Sequence, residues 1–416
     1  MLKHITQIIW NERRHNIGVW VELFLVSLFL WYIVDYVSFY VGKYIEPLGF
    51  DTEHTYIMKL GELSSNSAEF VEEDPTANKG NDLVTIMDRV KHNPMIEAAS
   101  FSFFSSPHIG SNSWADLYKD SLNMNLLRRV VTPDFFRVFR YESTNGSTNE
   151  LMKALEKGEL VVSAEVEKEL FPDGTAVGNK VTLGNNHPDN PLLTIGAVST
   201  KIKYDNFSGG MSDYFAALLD VNMLSYLAMG NINYLELCVR VKPEEDYDFF
   251  DRFRNQMGQQ FRVGNFYLNT IQYIPANKEE FHKRWVNDLK TRGFIGLFLL
   301  INILLGITGT FWFRTQYRRN EIGVRIAMGE TREGLLKMFY TEGLLLLTFA
   351  MVPAMLVFAF IRNAEILVES SAFTIGRYFM GFGITYILLA LMILLGVWFP
   401  VRKAIKISPA DALRDE

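Results

Sequence analysis

Residues 314–347 read RTQYRRNEIGVRIAMGETREGLLKMFYTEGLLLL, a basic segment that passes directly into an apolar run. That run covers 339–361 with Glu342 as its one acid, and an uncharged run, 293–313, precedes the basic segment. Each run reaches the roughly 20 residues with which a helix crosses about 30 Å of hydrocarbon. A soluble core helix of this length would carry a polar stripe, and neither run has one. The sequence therefore predicts two membrane spans joined by the basic segment 314–338.

Two further spans are predicted nearer the ends of the chain. Residues 378–399 are uncharged, whereas 17–42 contain two acids, Glu22 and Asp35. These acids would lie about 20 Å apart along a helix, so each can sit near the headgroups or face another helix. A cleaved signal peptide is the alternative interpretation of 17–42, but the apolar core of this segment is too long for one and no small-residue cleavage site follows it. We therefore predict four spans, of which the first is an uncleaved signal anchor.

The charges outside the spans predict the orientation of the chain. Segments 1–16, 314–338 and 400–416 hold 3, 6 and 4 Lys/Arg against 1, 3 and 3 acids, whereas 43–292 holds 26 against 35. The positive-inside rule places the three basic segments in the cytoplasm. Residues 43–292 then form a large external domain, and 362–377 form a short external loop.

The external domain has the patterns of a water-soluble α+β protein. Cys238 is the single cysteine, so an internal disulfide cannot form and the domain must depend on an apolar core. Alternating period-2 and period-3.6 patterns predict strands and helices, with a polar, disordered-looking run at 64–80. The patterns predict one strand–helix–strand unit near each end of the domain. The first consists of 55–60, 81–92 and 95–104, and the second of 233–241, 244–261 and 266–274. The middle of the domain has the patterns of strands at 124–131, 159–163 and 192–200, a turn and strand at 174–183, and a helix at 164–171. Another helix is predicted with Thr132 as N-cap and Pro133 as first residue.

Motifs of common catalytic sites are missing from the sequence. There is no G-x-x-x-x-G-K-[ST] phosphate loop and no G-x-S-x-G nucleophile elbow, and Ser-Gly-Gly within 207–211 is interpreted as a turn. The seven histidines never occur at H-x-x-x-H spacing, which argues against a dedicated metal site. Glu22, Asp35 and Glu342 are candidate proton carriers, although intramembrane acids more often pair with other groups. We predict no enzymatic activity and no cofactor or metal in this chain.

The basic segment is predicted to contain two helices. Asn320 can cap a first helix in which Glu321 and Arg325 form an i,i+4 ion pair, and Gly329 is a natural helix terminator. Thr331 can cap a second helix that continues into the third span. One interpretation is a basic amphipathic helix on anionic lipid. The other is a surface on which a partner protein docks.

The same segment resembles the cytoplasmic segment of permeases of the MacB/FtsX type, which reads E-I-G-x-R-x-A-x-G, then T-R, then a Glu opening the next span. External pieces 131–136, 160–171, 174–183 and 193–198 follow the order of the MacB-type external core, without the alanine that the family has in the middle of the 160–171 helix. The tail resembles the family's ending through Pro400, Ala404, Ile407, Pro409, Ala410, Ala412, Leu413 and Arg414. The matching residues of the basic segment are Glu321, Ile322, Gly323, Arg325, Ala327, Gly329, Thr331, Arg332 and Glu342.

This resemblance implies the membrane subunit of an ABC-type export or mechanotransmission system. It implies a multi-pass protein of the bacterial inner membrane with an α+β domain in the periplasm between spans one and two. ATP and Mg²⁺ would bind a separate ATPase chain, to which the 320–338 helices would couple. The implied partners also include the lipid bilayer and a second permease copy, in a homodimer or a heterodimer. A periplasmic adaptor and an outer-membrane channel are further candidates, and nucleic acid is not a partner.

Two other functions remain open from the sequence. One is an FtsX-like regulator, in which the same movement activates a cell-wall hydrolase outside the membrane. The other is a membrane-anchored sensor or binding protein that uses no ATPase. A neighbouring ATPase gene would exclude the sensor, whereas the transported substrate has no signature in these residues.

Overall fold

The computed structural model describes residues 2–11, 13–72, 78–184, 190–207, 213–363 and 374–404. The chain divides into a helical unit, Met1–Gly42 with Val286–Glu416, and a second unit, Lys43–Trp285. The helices are α1 Leu2–Asn11, α2 Arg13–Ile45, α3 Gly80–Lys91, α4 Phe135–Val138, α5 Thr148–Glu156, α6 Ala164–Leu170, α7 Val221–Ala228, α8 Phe249–Gln260, α9 Ile274–Tyr317, α10 Arg319–Ala327, α11 Arg332–Asn363 and α12 Ile375–Ala404. The strands are β1 Thr55–Glu62, β2 Ile96–Phe103, β3 Trp114–Lys119, β4 Leu122–Val131, β5 Leu160–Ser163, β6 Lys180–Leu183, β7 Leu192–Ser199, β8 Tyr214–Leu218, β9 Leu235–Val241 and β10 Phe266–Tyr273.

Four of these helices are long and apolar enough to cross a membrane. They are the candidate spans Asn16–Ile45, Ile274–Tyr317, Arg332–Ile361 and Ile375–Ala404. The prediction of four membrane helices with a large domain between the first two is thereby confirmed. Of the predicted external loop 362–377, residues 364–373 lie outside the described part of the chain.

The helical unit packs around aromatic and aliphatic side chains. Trp31 is almost fully buried, with its ring centroid 3.6 Å from that of Phe358 and 5.2 Å from that of Phe382. Gly381 lies against this indole, since a Cβ there would come within 3.0 Å of the Trp31 Nε1. A Cβ on Gly396 would come within 2.9 Å of Ile307. Small residues thus allow close helix approach, as is usual between membrane helices.

The outer parts of the second unit form one four-stranded antiparallel sheet. The strand order is β10-β1-β9-β2, with Ile57 of β1 opposite Cys238 of β9. Strand–helix–strand units β1-α3-β2 and β9-α8-β10 therefore interleave, which is the ferredoxin-like arrangement. Helices α3 and α8 cover one face, where Leu83, Leu237 and Phe253 share a core. The two units predicted from the sequence are confirmed, although α8 is shorter than the predicted helix 244–261.

The middle of this unit forms a closed barrel. The strands follow the order β4-β3-β6-β7-β5-β8, and a parallel pairing of β4 with β8 closes the ring. Closure leaves no free sheet edge within the ring. The barrel joins the four-stranded sheet where Ser102 and Phe103 of β2 pair with Val131 and Val130 of β4. Strands β3 and β8 and helices α5 and α7 were not predicted from the sequence.

Three local predictions are wrong. Helix α4 begins at Phe135 and not at Pro133, because the Thr132 hydroxyl accepts a hydrogen bond from the Phe101 N–H at 3.0 Å instead of capping a helix. Asn320 is not an N-cap, since α10 already begins at Arg319. Residues 64–72 are not disordered, because the Asn265 side chain binds both the N–H and the C=O of Val71 at 2.9 Å. Residues 73–77 of that run are outside the described residues.

Candidate coupling site

The turn between α10 and α11 is a Schellman motif centred on Gly329. Gly329 has φ +93°, which favours glycine, and its N–H bonds the C=O of Ile326 at 3.0 Å. The Glu330 N–H bonds the C=O of Arg325 at 2.9 Å. These two bonds satisfy carbonyls that the end of α10 would otherwise leave unpaired. Gly329 therefore ends the helix, as its position in the sequence predicts.

Helix α11 begins with a side-chain cap. The Thr331 Oγ1 accepts a hydrogen bond from the N–H of Gly334 at 3.1 Å. This is the N-cap interaction predicted for Thr331, and it satisfies one of the free N–H groups of the first turn. From Arg332 the helix continues without interruption to Asn363. The α10–α11 turn is therefore joined to the third span without an intervening loop.

Glu342 lies one turn inside the apolar part of α11 and is almost fully buried. Its Oε1 accepts a hydrogen bond from Arg314 Nη1 at 2.5 Å, and its Oε2 accepts one from Arg318 Nη1 at 3.1 Å. A buried acid with two cationic donors is stable, whereas loss of one partner of such a group is strongly destabilising. Glu342 thus joins the end of α9 to α11.

The ion pairs continue from this buried cluster to the surface of α10. Arg318 Nε lies 3.9 Å from Glu321 Oε2, and Glu321 Oε1 lies 2.9 Å from Arg325 Nη2. Arg325 Nη1 in turn lies 3.3 Å from Glu330 Oε2. The Glu321–Arg325 pair predicted from the sequence is therefore present as one link in a longer chain. We call Arg314, Arg318, Glu321, Arg325, Glu330 and Glu342 the ion-pair chain.

The predicted coupling residues fall into three groups. Ile322 and Gly323 are buried and hold α10 against the other helices. Glu321 and Arg325 are half-buried and line a shallow concavity together with Gly329. Ala327, Thr331 and Arg332 are exposed. The sequence did not single out the other residues of this concavity, Val324, Met328 and Glu330.

Val324 and Met328 give the concavity an apolar edge. Their exposed fractions are 45% and 83%, high values for apolar side chains one helical turn apart. Such a pair beside the charges of Glu321 and Arg325 has the mixed character of a protein-docking surface, in which apolar anchors lie within a polar rim. The i,i+4 spacing of Val324 and Met328 was the sequence signal that could have identified this apolar edge. Because the helix ends at Gly329, directly after Met328, the Met328 side chain is left still more exposed.

Two tryptophans with cationic side chains over their rings lie at the end of the spans that also carries the coupling segment. Lys403 Nζ lies 4.5 Å from the ring centroid of Trp312, and the Arg402 guanidinium lies 4.9 Å from that of Trp398. Tryptophan and basic residues are enriched where membrane helices meet the headgroups. The described part of the chain contains no group of three or more metal-ligating side chains. The tail residues Ile407, Pro409, Ala410, Ala412, Leu413 and Arg414 lie outside it.

Two family models match the two parts of this architecture. The FtsX-like permease C-terminal model matches residues 293–409, which include the whole ion-pair chain. The MacB-like periplasmic core domain model matches residues 49–251. The chain is a permease of the MacB/FtsX type. With four membrane helices and a periplasmic core domain, the chain is a multi-pass protein of the inner membrane, as the resemblance implies.

Curated relatives and a solved structure are similar to parts of this chain. The macrolide export ATP-binding/permease protein MacB of Salmonella typhimurium is 23% identical over 387 residues, 86% of this chain and 54% of that protein. The protein of the same name from Shewanella sp. is 25% identical over 343 residues, covering 80% of this chain and 49% of its own length. The permease thus spans about half the length of these relatives. The periplasmic region of MacB from Actinobacillus actinomycetemcomitans aligns with 58% of this chain and 98% of its own, at 9% identity and a TM-score of 0.33.

Proposed function

We propose that this permease is the membrane subunit of an ABC-type export or mechanotransmission system. In this proposal a separate ATPase binds ATP and Mg²⁺ and docks on α10, and its movement is passed through the spans to the periplasmic domain. The observation that carries the proposal is the ion-pair chain. It runs without a break from the exposed surface of α10 to Glu342 inside α11.

The ion-pair chain makes the coupling segment suitable for transmitting force. Glu342 of α11 binds Arg314 of α9 and Arg318 of the short connection to α10, so two helices and the start of the coupling segment are held at one point. Because separating a buried ion pair costs several kcal/mol, a push on α10 would move these helices together before the cluster broke. A surface helix whose only task is to lie on lipid has no need for such a buried anchor.

Helix α9 supplies a continuous element along which movement could pass. It begins at Ile274, directly after strand β10, and runs 44 residues to Tyr317. An α-helix of this length extends about 66 Å. A displacement at Arg314 would therefore reach the residue that follows the last strand of the periplasmic domain without crossing a loop.

Movement of helices explains the membrane part better than a conventional channel. The interior of the helical unit is filled by apolar side chains, among them Trp31, Phe339 and Leu389. Four helices are also few to enclose a substrate pathway, even in two copies. We propose a unit of two permease chains, because paired ATPases would present two docking surfaces and closed two-fold assembly is the commonest.

Copurification followed by an ATPase assay tests this function. The permease would be purified from its native membrane in detergent, and its partners and the mass of the complex determined by mass spectrometry. We expect an ATPase at equal stoichiometry, two permease chains per complex, and ATP hydrolysis that depends on the permease. Failure to recover any ATPase would contradict the proposal and favour a sensor, whereas recovery of a cell-wall hydrolase with the ATPase would favour the regulator.

A further inference from the structure

The periplasmic unit contains a cavity on the face of the four-stranded sheet opposite to α3 and α8. It has a volume of about 490 Å³, within the roughly 300–1,000 Å³ typical of small-molecule sites. Its floor includes Lys59 of β1 and Glu236 of β9. Along each strand these residues alternate with residues that face the core between the sheet and helices α3 and α8. Its walls come from the loop after β2 and from the first turns of α9.

The charged groups on the floor neutralise one another. Glu236 is 1% exposed, and its Oε2 accepts hydrogen bonds from Ser102 Oγ at 2.8 Å and from the Ser106 N–H at 3.0 Å. Lys59 Nζ lies 3.7 Å from Glu236 Oε1. At the rim, Glu280 is paired with Lys283 at 3.1 Å. The cavity therefore presents fixed polar atoms and little net charge, which favours a neutral ligand over an ion.

His108 supplies a buried polar group that no other described residue satisfies. It lines the cavity and is 3% exposed, and neither ring nitrogen has a hydrogen-bond partner among the described residues. Burial, with smaller effects of His282 and Lys278, lowers the pKa of His108 to about 3, so the ring is neutral. A neutral imidazole offers one donor and one acceptor, and buried polar groups without partners are rare in proteins.

The loop that carries His108 is held in an unusual conformation. His108 has φ +60° and Phe104 has φ +47°, both in the left-handed region that residues other than glycine rarely adopt. Such conformations are strained, and they cluster at ligand sites. The loop is held by the floor of the cavity, since the N–H groups of Ser105 and Ser106 both donate hydrogen bonds to Glu236. Glu236 thus fixes two of the residues that lie between Phe104 and His108 in the loop.

Aromatic rings and carboxamides complete the wall. Phe104 and Tyr234 have ring centroids 4.9 Å apart, and Phe281 lies on the other side with its ring centroid 5.8 Å from that of His108. Gln272 and Asn277 also line the cavity, and no hydrogen bond of their side chains occurs within the described residues. Ring faces are electron-rich and attract C–H groups, while carboxamides both donate and accept hydrogen bonds.

We propose that this cavity is a saccharide-binding site, in which a sugar ring packs on Tyr234 while its hydroxyl groups bind Gln272 and Asn277. A saccharide combines an apolar C–H face with many neutral hydroxyl groups, each able to donate and accept. A purely apolar ligand would cover the carboxamides of Gln272 and Asn277 without offering them hydrogen bonds, and a charged ligand would face the mutually neutralised pair of Glu236 and Lys59. The proposal is independent of the ATPase partnership.

Ligand-observed saturation-transfer NMR on the full chain tests this site. The chain is placed in lipid nanodiscs, because maltoside detergents would present sugar headgroups to the cavity. The probes are N,N′-diacetylchitobiose and maltose. We expect saturation transfer to the ring protons of at least one disaccharide, with affinity about tenfold weaker in Tyr234→Ala, which corresponds to about 1.4 kcal/mol. The matched control is Tyr226→Ala, since Tyr226 is 66% exposed in the same unit and does not line the cavity.

Further variants separate ligand binding from folding. Asn277→Ala removes one of the two carboxamides that line the cavity, and it should weaken binding by a similar factor. Gln272→Ala changes an exposed side chain of an edge strand, so it keeps the test valid where Asn277→Ala fails to fold. No transfer to either disaccharide in the wild-type chain would overturn the proposal. So would equal losses in Tyr234→Ala and Tyr226→Ala, or a stronger signal from a dialanine probe, which would assign the cavity to peptides.

Discussion

Arg377 binds Asp35 through two parallel hydrogen bonds, from Nε to Oδ1 at 2.7 Å and from Nη2 to Oδ2 at 2.5 Å. The two side chains are each 13% exposed, and the Arg377 guanidinium lies 4.2 Å from the ring centroid of Phe39. This geometry joins the first span to the start of the last. Structural pairing, the interpretation favoured for the intramembrane acids, is confirmed for Asp35 and also for Glu342.

Removal of one charge from the Asp35–Arg377 pair should destabilise the helical unit. Asp35→Asn leaves a largely buried guanidinium without its counter-charge, which costs about 3 kcal/mol or more. Thermal unfolding of the permease in nanodiscs should show a lower midpoint for Asp35→Asn and for Arg377→Gln. The double variant Asp35→Asn with Arg377→Gln should lower the unfolding midpoint by less than the sum of the two single shifts. Additive shifts of the midpoint would contradict a direct interaction.

Glu342→Gln tests the buried end of the ion-pair chain. The substitution leaves Arg314 and Arg318 facing a neutral amide, so we expect a loss of about 3 kcal/mol together with weaker permease-dependent ATP hydrolysis. Glu333→Gln is the matched control, because Glu333 is an exposed acid of the same helix. Wild-type coupling in Glu342→Gln at wild-type membrane levels would show that the buried cluster does not transmit force.

Glu321→Lys separates the docking and lipid interpretations of α10. It removes the contacts of Glu321 with Arg325 and Arg318, each worth only about 0.2–0.5 kcal/mol as a helix effect, so folding should be unaffected. On a docking surface it reverses a charge beside Arg325 and should reduce permease-dependent ATP hydrolysis. On a lipid surface it adds positive charge facing anionic lipid and should leave hydrolysis unchanged. Measurement of both ATPase rate and membrane level for this variant decides between the two.

The sequence predicts those parts of the molecule that depend on local signals. The four spans follow from continuous apolar runs of about 20 residues, and the Gly329 terminator and the Thr331 cap each follow from residues within about one helical turn. Arg314 and Arg318 also had a local signal, because their i,i+4 spacing places both on one face near the Glu342 helix. That signal was available in the sequence and was missed.

The remaining features depend on contacts between distant residues. Strand β9 has apolar residues at alternate positions, yet Glu236 and Arg240 between them are equally buried. Their partners are remote, since Glu236 binds Ser102 and Arg240 binds Asp51. The barrel strands β3 and β8 were missed for the same reason, as a short strand becomes recognisable only through its neighbours. The cavity around His108 is likewise assembled from four separate parts of the chain.

The low pKa of His108 predicts that the periplasmic unit loses stability in acid. The ring titrates near 3 in the folded chain but near 6.5 in the unfolded chain, so between these values the unfolded state binds the additional proton. This contribution to stability is complete above pH 6.5 and falls as the pH drops toward 3, by at most about 1.4 kcal/mol per pH unit. Lys278 and His282 oppose protonation, while Asp205 favours it.

Hydrogen exchange of the β9 amides at pH 7.5 and pH 5 measures this effect, after correction for the intrinsic exchange rates. We expect protection to fall by about 2 kcal/mol in the wild-type chain. His108→Phe should reduce this loss of protection in acid, because it removes one titrating ring. The carboxylates and the other histidines still titrate, so the loss is not abolished. An identical pH response in both proteins would assign the acid sensitivity to other groups.

The final prediction concerns the backbone at Gly329. Its φ of +93° is strained for any side chain, although a Cβ there would meet no atom within 4 Å. Gly329→Val should therefore act through backbone conformation alone, costing about 1–3 kcal/mol and displacing the start of α11 from the end of α10. Gly146→Val is the matched control, since Gly146 has φ +78°, equally open surroundings and a place in the other unit. Both variants should reach normal membrane levels, but only Gly329→Val should lower permease-dependent ATP hydrolysis. Equal hydrolysis in the two variants would remove the α10–α11 turn from the coupling path.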